Sequence, residues 1–246
     1  AEGMKPYIAI YSTFMQRCID MIQHDAALQK LPVRFCMDRA GLSPDDGPTH
    51  HGLFDIAMIR SIPNIVFMQP KDEAEFVHML RTMNHYQNGP TVIRYPRGCG
   101  AGTPVPAKAE ILPIGKAEVL QTGRDVTLVS LGTMIGIARE TASLLEARGY
   151  TVTLINARFI KPLDDECIRR HAARSRVVCT FEDHSISGGF NSAVLESLET
   201  GDVKTPVEAI AWPDQFIEHG SESILRKKYG LTAEAALQKI ITHLNS

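Results

Sequence analysis

The stretch DDGPTHHGLFD, Asp45 to Asp55, sets three aspartates and two adjacent histidines between glycines that let the backbone turn. An imidazole changes charge near neutral pH, so a histidine there, His50 or His51, beside a carboxylate such as Asp46 is suited to general acid–base work. Three further stretches carry compatible chemistry: YSTFMQR holds Tyr11, Phe14 and Arg17, DRAG holds Arg39, and RYPRG holds Arg97. A guanidinium is planar and permanently charged, and its fork of donors matches phosphate. Together these residues suggest a phosphorylated substrate and proton transfer. Taken singly, each arginine reads as well as a solvated surface charge, and each histidine as a helix cap. Only their convergence on one edge favours the chemical reading.

A metal would also suit the donor types in DDGPTHHGLFD. Neighbouring histidines point apart unless the backbone turns sharply, however, and no HExxH or other spaced ligand pair is present. No protein-bound metal is expected in this chain.

The elements that would position these residues follow from the pattern. YIAIYS, VRFCMD, IPNIVFMQP and TVIRYP are short β-rich runs, and FMQRCIDMIQHDAALQ and DEAEFVHMLRTMNHY are amphipathic runs of helix length. Such alternation predicts a parallel sheet covered by helices. Ligands in such sheets bind beyond the carboxyl ends of strands. The loops YSTFMQR, DRAGLSPDDGPTHHGLFD, MQPKDE and RYPRG each follow a strand, so all four should open onto one edge.

Residues 99–114, rich in Gly and Pro with little periodicity, read as a linker between domains 1–98 and 115–246. Beyond them the alternation restarts: VTLVSLG, a helix through EARG with Gly149 at its end, TVTLINAR, a helix near 164–173, RVVCTFED, a helix near 189–199, VEAIAWP and two terminal helices. The chain is thus α/β, with two doubly wound domains. LGTMIG after VTLVS is neither a dinucleotide fingerprint nor a P-loop. Glu182, Asp183 and His184, at the end of RVVCTFED, are either site-rim residues or local capping groups.

Composition narrows the class. The chain has 246 residues, 44% hydrophobic and 22% charged, with a net charge of −2. That is a globular, enzyme-like balance with no basic excess for nucleic acid. The apolar runs fall far short of the roughly 20 residues a membrane helix needs. No export signal is visible, so the chain reads as cytoplasmic or plastid-stromal. Five cysteines with no CxxC pair fit reduced, mostly buried thiols rather than a disulfide framework or zinc ribbon.

In their order, YSTFMQR, DRAG, DGPTHHGLFD, IPNIVFMQP, DEAE, GPTVIRYPRG, LPIGKAEVL, ARFIKPLD and PDQFIEHG resemble the C-terminal part of the 1-deoxy-D-xylulose-5-phosphate synthases. The resemblance spans essentially the whole chain. DRAG followed by DG-x-TH-x-G-x-FD and RYPRG is specific to that family. Transketolases and the β subunits of 2-oxo-acid dehydrogenases share looser versions and are the nearest alternatives.

The resemblance implies a thiamine-diphosphate enzyme that decarboxylates pyruvate and joins the two-carbon unit to D-glyceraldehyde 3-phosphate, feeding isoprenoid, thiamine and pyridoxal synthesis. It implies a truncated pyrimidine-binding domain followed by a transketolase C-terminal-like domain. Phe14 would pack on the cofactor's aminopyrimidine, with Tyr11 and Arg17 lining the same site. Arg39 and Arg97, with Tyr11 close by, would hold the acceptor phosphate. His50 would assist proton transfer with Asp46 near it, and His51 inherits no role. His219 in FIEHG is either a site residue or a helix cap. The second domain would contribute dimer contacts and stability more than chemistry.

The resemblance also implies a longer protein: an N-terminal domain holding Mg2+ and the diphosphate, the start of the pyrimidine-binding domain, and a glutamate that activates the cofactor. The chain is therefore expected to be a fragment, inactive alone, and to belong to a homodimer when whole.

Overall fold

Val126–Ser130, Val152–Asn156 and Val177–Ser185 are buried along their whole lengths. Continuous burial of that kind marks strands covered on both faces by helices. The computed structural model, which describes residues 2–245, contains two five-stranded sheets.

The first has the order β1 (Tyr7–Tyr11), β2 (Arg34–Asp38), β4 (Thr91–Arg94), β3 (Val66–Met68), β8 (Phe159–Lys161). The second has the order β10 (Val207–Trp212), β9 (Val177–Ser185), β6 (Val126–Ser130), β7 (Val152–Asn156), β5 (Glu118–Gln121). The expected α/β class and parallel cores hold. Each sheet also carries one antiparallel edge strand that the pattern did not reveal, β8 against β3 and β5 against β7.

Strand β8 belongs by sequence to the second half, yet it completes the first sheet. Only Ala157 and Arg158 separate it from β7, and Arg158 turns the chain with a φ of 60°. The extended chain thus passes directly from one sheet to the other. The core is shared accordingly: Ile56, Phe67 and Val92 of the first half cluster with Val129, Ile155 and Phe190 of the second.

The expected helices form at Glu73–His85, Ile135–Glu146, Asp165–Ala172, Phe190–Thr200, Glu222–Tyr229 and Ala233–Leu244. Asp72 caps the first of these by accepting the Glu75 N–H at 2.8 Å, as a short carboxylate at that position should. Residues 14–29 read as one amphipathic helix, but the chain from Ser12 to Ala27 forms a succession of α, 3-10 and π turns. The short helix Asp55–Arg60 was not evident from the sequence. All five cysteines are free, but only Cys167 and Cys179 are buried, and Cys99 is exposed. No helix among the described residues is long and apolar enough to cross a membrane.

Candidate active site

Three strand ends of the first sheet deliver the site. Tyr11 closes β1, Arg39 follows β2, and Arg97 lies three residues beyond β4. Arg39 donates through Nη2 to the Tyr11 hydroxyl at 3.0 Å, and its guanidinium lies 4.1 Å from the centroid of that ring. Through Nη1 it donates to Asp46 Oδ2. Arg97 donates to the same oxygen at 2.8 Å and lies 3.7 Å from Asp45. Two guanidiniums therefore converge on one carboxylate oxygen at an accessible sheet edge, the geometry of an anion site.

Next to it is an aromatic cleft of about 550 Å³, lined among others by Phe14, Arg17, His50, Phe54 and Phe216. Phe14 stacks on Tyr11 with centroids 5.5 Å apart and meets the edge of His50 at 5.7 Å. Phe14 remains 38% exposed, an apolar side chain at the wall of a concave site. His50 Nδ1 pairs with Thr49 Oγ1 at 2.9 Å, so among the described residues its Nε2 has no hydrogen-bond partner. Thr13 Oγ1 donates to the Thr49 carbonyl at 2.9 Å, tying the Phe14 loop to the His50 loop.

The two histidines have separate fates. His51 is buried, accepts the Ser43 N–H at Nδ1 at 3.0 Å, and donates from Nε2 to the Glu218 carbonyl at 3.3 Å. Burial holds its pKa below the usual histidine value. A neutral imidazole with one nitrogen accepting and the other donating is fully used as a structural post.

The sequence-predicted residues Tyr11, Phe14, Arg17, Arg39, Asp46, His50 and Arg97 are thus gathered along one edge. Asp46 faces the arginines, and the hydrogen bond made by the His50 ring goes to Thr49. The third loop, MQPKDE, takes a different course. Lys71 pairs with Glu75 at 3.1 Å and Glu118 at 3.0 Å, and Arg158 joins both carboxylates, clamping the two halves together. The β4 end likewise splits, because Arg94 points inward while Arg97 stays 40% exposed and pairs with Asp46.

Arg94 is wholly buried and escaped the sequence reading as a separate element. It contacts Asp55 through Nε and Nη2, each at 3.1 Å, and donates to Gln69 Oε1 at 2.6 Å and to the carbonyls of Gly52 and Asp183. Asp55 also accepts from Ser12 Oγ at 2.8 Å. The signal available in the sequence was an arginine inside an otherwise apolar strand, TVIR, which must find a buried carboxylate.

Glu182 resolves as a capping residue: its carboxyl accepts the Phe190 and Asn191 N–H groups at 2.6 and 2.8 Å. Full burial raises its pKa to about 8, and burial likewise lowers that of His184 to about 4. His219 packs its Cβ over Gly47 and lies outside the helix that begins at Glu222. Beside the site, contact requires glycine at 52 and 41: a Cβ on Gly52 would lie 2.5 Å from Ser12 Oγ, and one on Gly41, whose φ is +83°, would lie 2.1 Å from Asp183 Oδ2. Among the described residues no group of three or more His, Cys, Asp or Glu is placed to hold a metal ion.

Comparison with known proteins gives a consistent picture. Residues 1–101 match the transketolase pyrimidine-binding domain and residues 115–235 the transketolase C-terminal domain. Curated relatives include the 1-deoxy-D-xylulose-5-phosphate synthases of Methylacidiphilum infernorum, 53% identical over 100% of this chain, and of Acidobacterium capsulatum, 52% identical over 99%. The chain spans 39% of the length of each of these relatives, aligned with their C-terminal parts. Among solved structures, a split gene transketolase described as an inactive β4 tetramer superimposes with a TM-score of 0.88 at 30% identity, covering 99% of this chain and 77% of that one. The chain therefore belongs to the transketolase family, carrying its pyrimidine-binding and C-terminal domains in the form found in the C-terminal part of 1-deoxy-D-xylulose-5-phosphate synthases.

Proposed function

We propose that this chain is the C-terminal part of a thiamine-diphosphate-dependent transferase that condenses pyruvate, with decarboxylation, and D-glyceraldehyde 3-phosphate to 1-deoxy-D-xylulose 5-phosphate. The observation that carries the reading is the convergence of Arg39 and Arg97 on Asp46 Oδ2 beside the Tyr11–Phe14–His50 cleft. Identities of 53% and 52% to synthases, against 30% to the transketolase, favour this reaction over transfer between ketose phosphates.

The cleft fits the aminopyrimidine part of the cofactor. Phe14 offers an exposed aromatic face, and Phe54 and Phe216 add apolar wall. When bound, thiamine diphosphate supplies the electron sink for decarboxylation and carbon–carbon bond formation. This chain's residues do the rest. Phe14 orients the ring, and Arg17 lines the cleft. Arg39 and Arg97 hold the acceptor phosphate by charge-assisted hydrogen bonds, with Tyr11 supporting Arg39. His50 serves as the acid–base group that delivers a proton to the aldehyde oxygen as it becomes a hydroxyl. Asp46 keeps the two guanidiniums together before the phosphate arrives.

Mg2+, the residues gripping the diphosphate and the glutamate that activates the cofactor belong to the N-terminal part of the whole protein. The whole enzyme works as a homodimer in the cytoplasm or a plastid stroma, serving isoprenoid and thiamine biosynthesis, and this chain alone is inactive. The test is Arg39→Ala and Arg97→Ala in the full-length enzyme. Each raises the KM for D-glyceraldehyde 3-phosphate by about 10- to 100-fold, the equivalent of losing a charged hydrogen bond. Unchanged KM values in both variants would refute the phosphate assignment.

A further inference from the structure

We infer that Asp183, in the second sheet, is a positioning residue for the acceptor-phosphate grip, so that the C-terminal domain sets the specificity of a site to which it contributes neither arginine. The inference rests on the reading of Arg39 and Arg97 given above.

Asp183 sits near the end of β9 and is 3% exposed. Three elements of its own domain hold it. The Trp212 indole N–H donates to Oδ1 at 2.6 Å, Arg226 donates to Oδ2 at 3.3 Å, and the backbone continues through β9. Its Oδ2 then reaches into the other domain and accepts the Leu42 N–H at 3.4 Å. The same oxygen occupies the space where Gly41 lacks a side chain. Its carbonyl takes a hydrogen bond from Arg94 at 3.3 Å.

Gly41–Leu42 is a node of the site. Arg39 precedes Gly41 by two residues and holds a φ of 53°, a conformation its surroundings must maintain. Ala40 donates its N–H to the Tyr95 carbonyl at 3.0 Å, two residues before Arg97. Gly41 exchanges backbone hydrogen bonds with Gly52 at 2.9 and 2.7 Å, two residues after His50. The segment bearing Arg39 therefore turns where Asp183 presses, and the segments bearing Arg97 and His50 are tied to it at one remove. A bond of that length contributes modestly to stability, but a shift of even an ångström at a phosphate grip is costly in rate.

The consequence is selective. Asp183→Asn keeps a carbonyl oxygen for Trp212 and turns an amide N–H toward Leu42 N–H and Arg226, repelling the node. In the full-length enzyme it should lower kcat/KM for D-glyceraldehyde 3-phosphate about tenfold while changing that for unphosphorylated D-glyceraldehyde less than twofold. Arg226→Gln, which removes one Oδ2 partner from outside the site, should move the ratio the same way by about threefold, and it carries the test if Asp183→Asn does not fold. Equal losses with both aldehydes, or none, in the folded variants would overturn the inference. Arg39→Ala separates the two levels. If it too fails to discriminate between the aldehydes, the phosphate reading falls. If it discriminates and the Asp183 and Arg226 variants do not, only the positioning role falls.

Discussion

Arg39, Asp46 and His50 at the sheet edge have close counterparts in Arg94, Asp55 and His184 beneath it. Both groups combine an arginine, an aspartate and a histidine, but the edge group comes from the single loop after β2, whereas the buried one joins β4, the start of the helix Asp55–Arg60 and β9. At the edge, the side chains of Arg39, Asp46 and Arg97 are 20%, 28% and 40% exposed, and each arginine makes few contacts. Beneath it, Arg94, Asp55 and His184 are 0% exposed, and Arg94 has four partners. The difference lies in what remains to be satisfied. Buried charges that are fully paired cannot turn to a ligand, whereas the edge group is charged and partly exposed, with donors in reserve.

The comparison breaks most readily at Arg94. Arg94→Met strands Asp55 without its cation in the interior and should cost about 3–5 kcal/mol, against less than about 0.5 kcal/mol for Arg97→Ala. Urea unfolding followed by the fluorescence of Trp212, the chain's single tryptophan, measures both. Similar midpoints for the two variants would erase the distinction between the regions.

Next in size is the kinetic counterpart. Arg39→Ala should depress kcat/KM with the phosphorylated aldehyde by about 10- to 100-fold in the whole enzyme, with the unfolding midpoint of this chain unmoved.

A pH titration of stability sharpens the buried side. Burial raises the Glu182 pKa to about 8, so folding favours its protonated form, and stability is lost as pH rises between the ordinary value and about 8. Burial lowers the His184 pKa to about 4, so stability is lost as pH falls from the ordinary histidine value toward 4. The two slopes oppose each other below about pH 6.5, the unperturbed histidine value, and only the Glu182 slope persists above it. Glu182→Gln should abolish the decline between pH 6.5 and 8, a change on the order of 1–2 kcal/mol. A decline that survives the substitution assigns it to another group.

A last contrast is between neighbours. His51→Ala removes the partner of the Ser43 N–H and should destabilise by about 1–3 kcal/mol, whereas His50→Ala should stay within about 0.5 kcal/mol and act on turnover.

Much of this was legible in the residues themselves. Alternating apolar runs and amphipathic segments predict both α/β sheets, and the stretches after strands one, two and four carry the residues that the structure brings together. The failures share a cause. Strands β5 and β8 are short, and β8 joins the sheet of the other half, a pairing that local periodicity does not encode. The MQPKDE loop follows a strand as the other three do, but Lys71 finds Glu75 and Glu118. Arg94 and Arg97, three residues apart in one motif, were read as one group although only Arg94 ends an apolar strand, because the carboxylate that receives it, Asp55, lies 39 residues away in the chain.

The amino-acid sequence by itself determined the α/β class, the family, and the residue types available for gripping phosphate and moving protons, because these depend on local pattern and on motifs of contiguous residues. Only the tertiary structure decided how His51 is spent as a post, which arginine is spent on a buried aspartate, and that Asp183 reaches across to the Arg39 segment. Those outcomes depend on which donors and acceptors are left without partners once the two sheets pack, and that is a property of contacts between residues far apart in the chain.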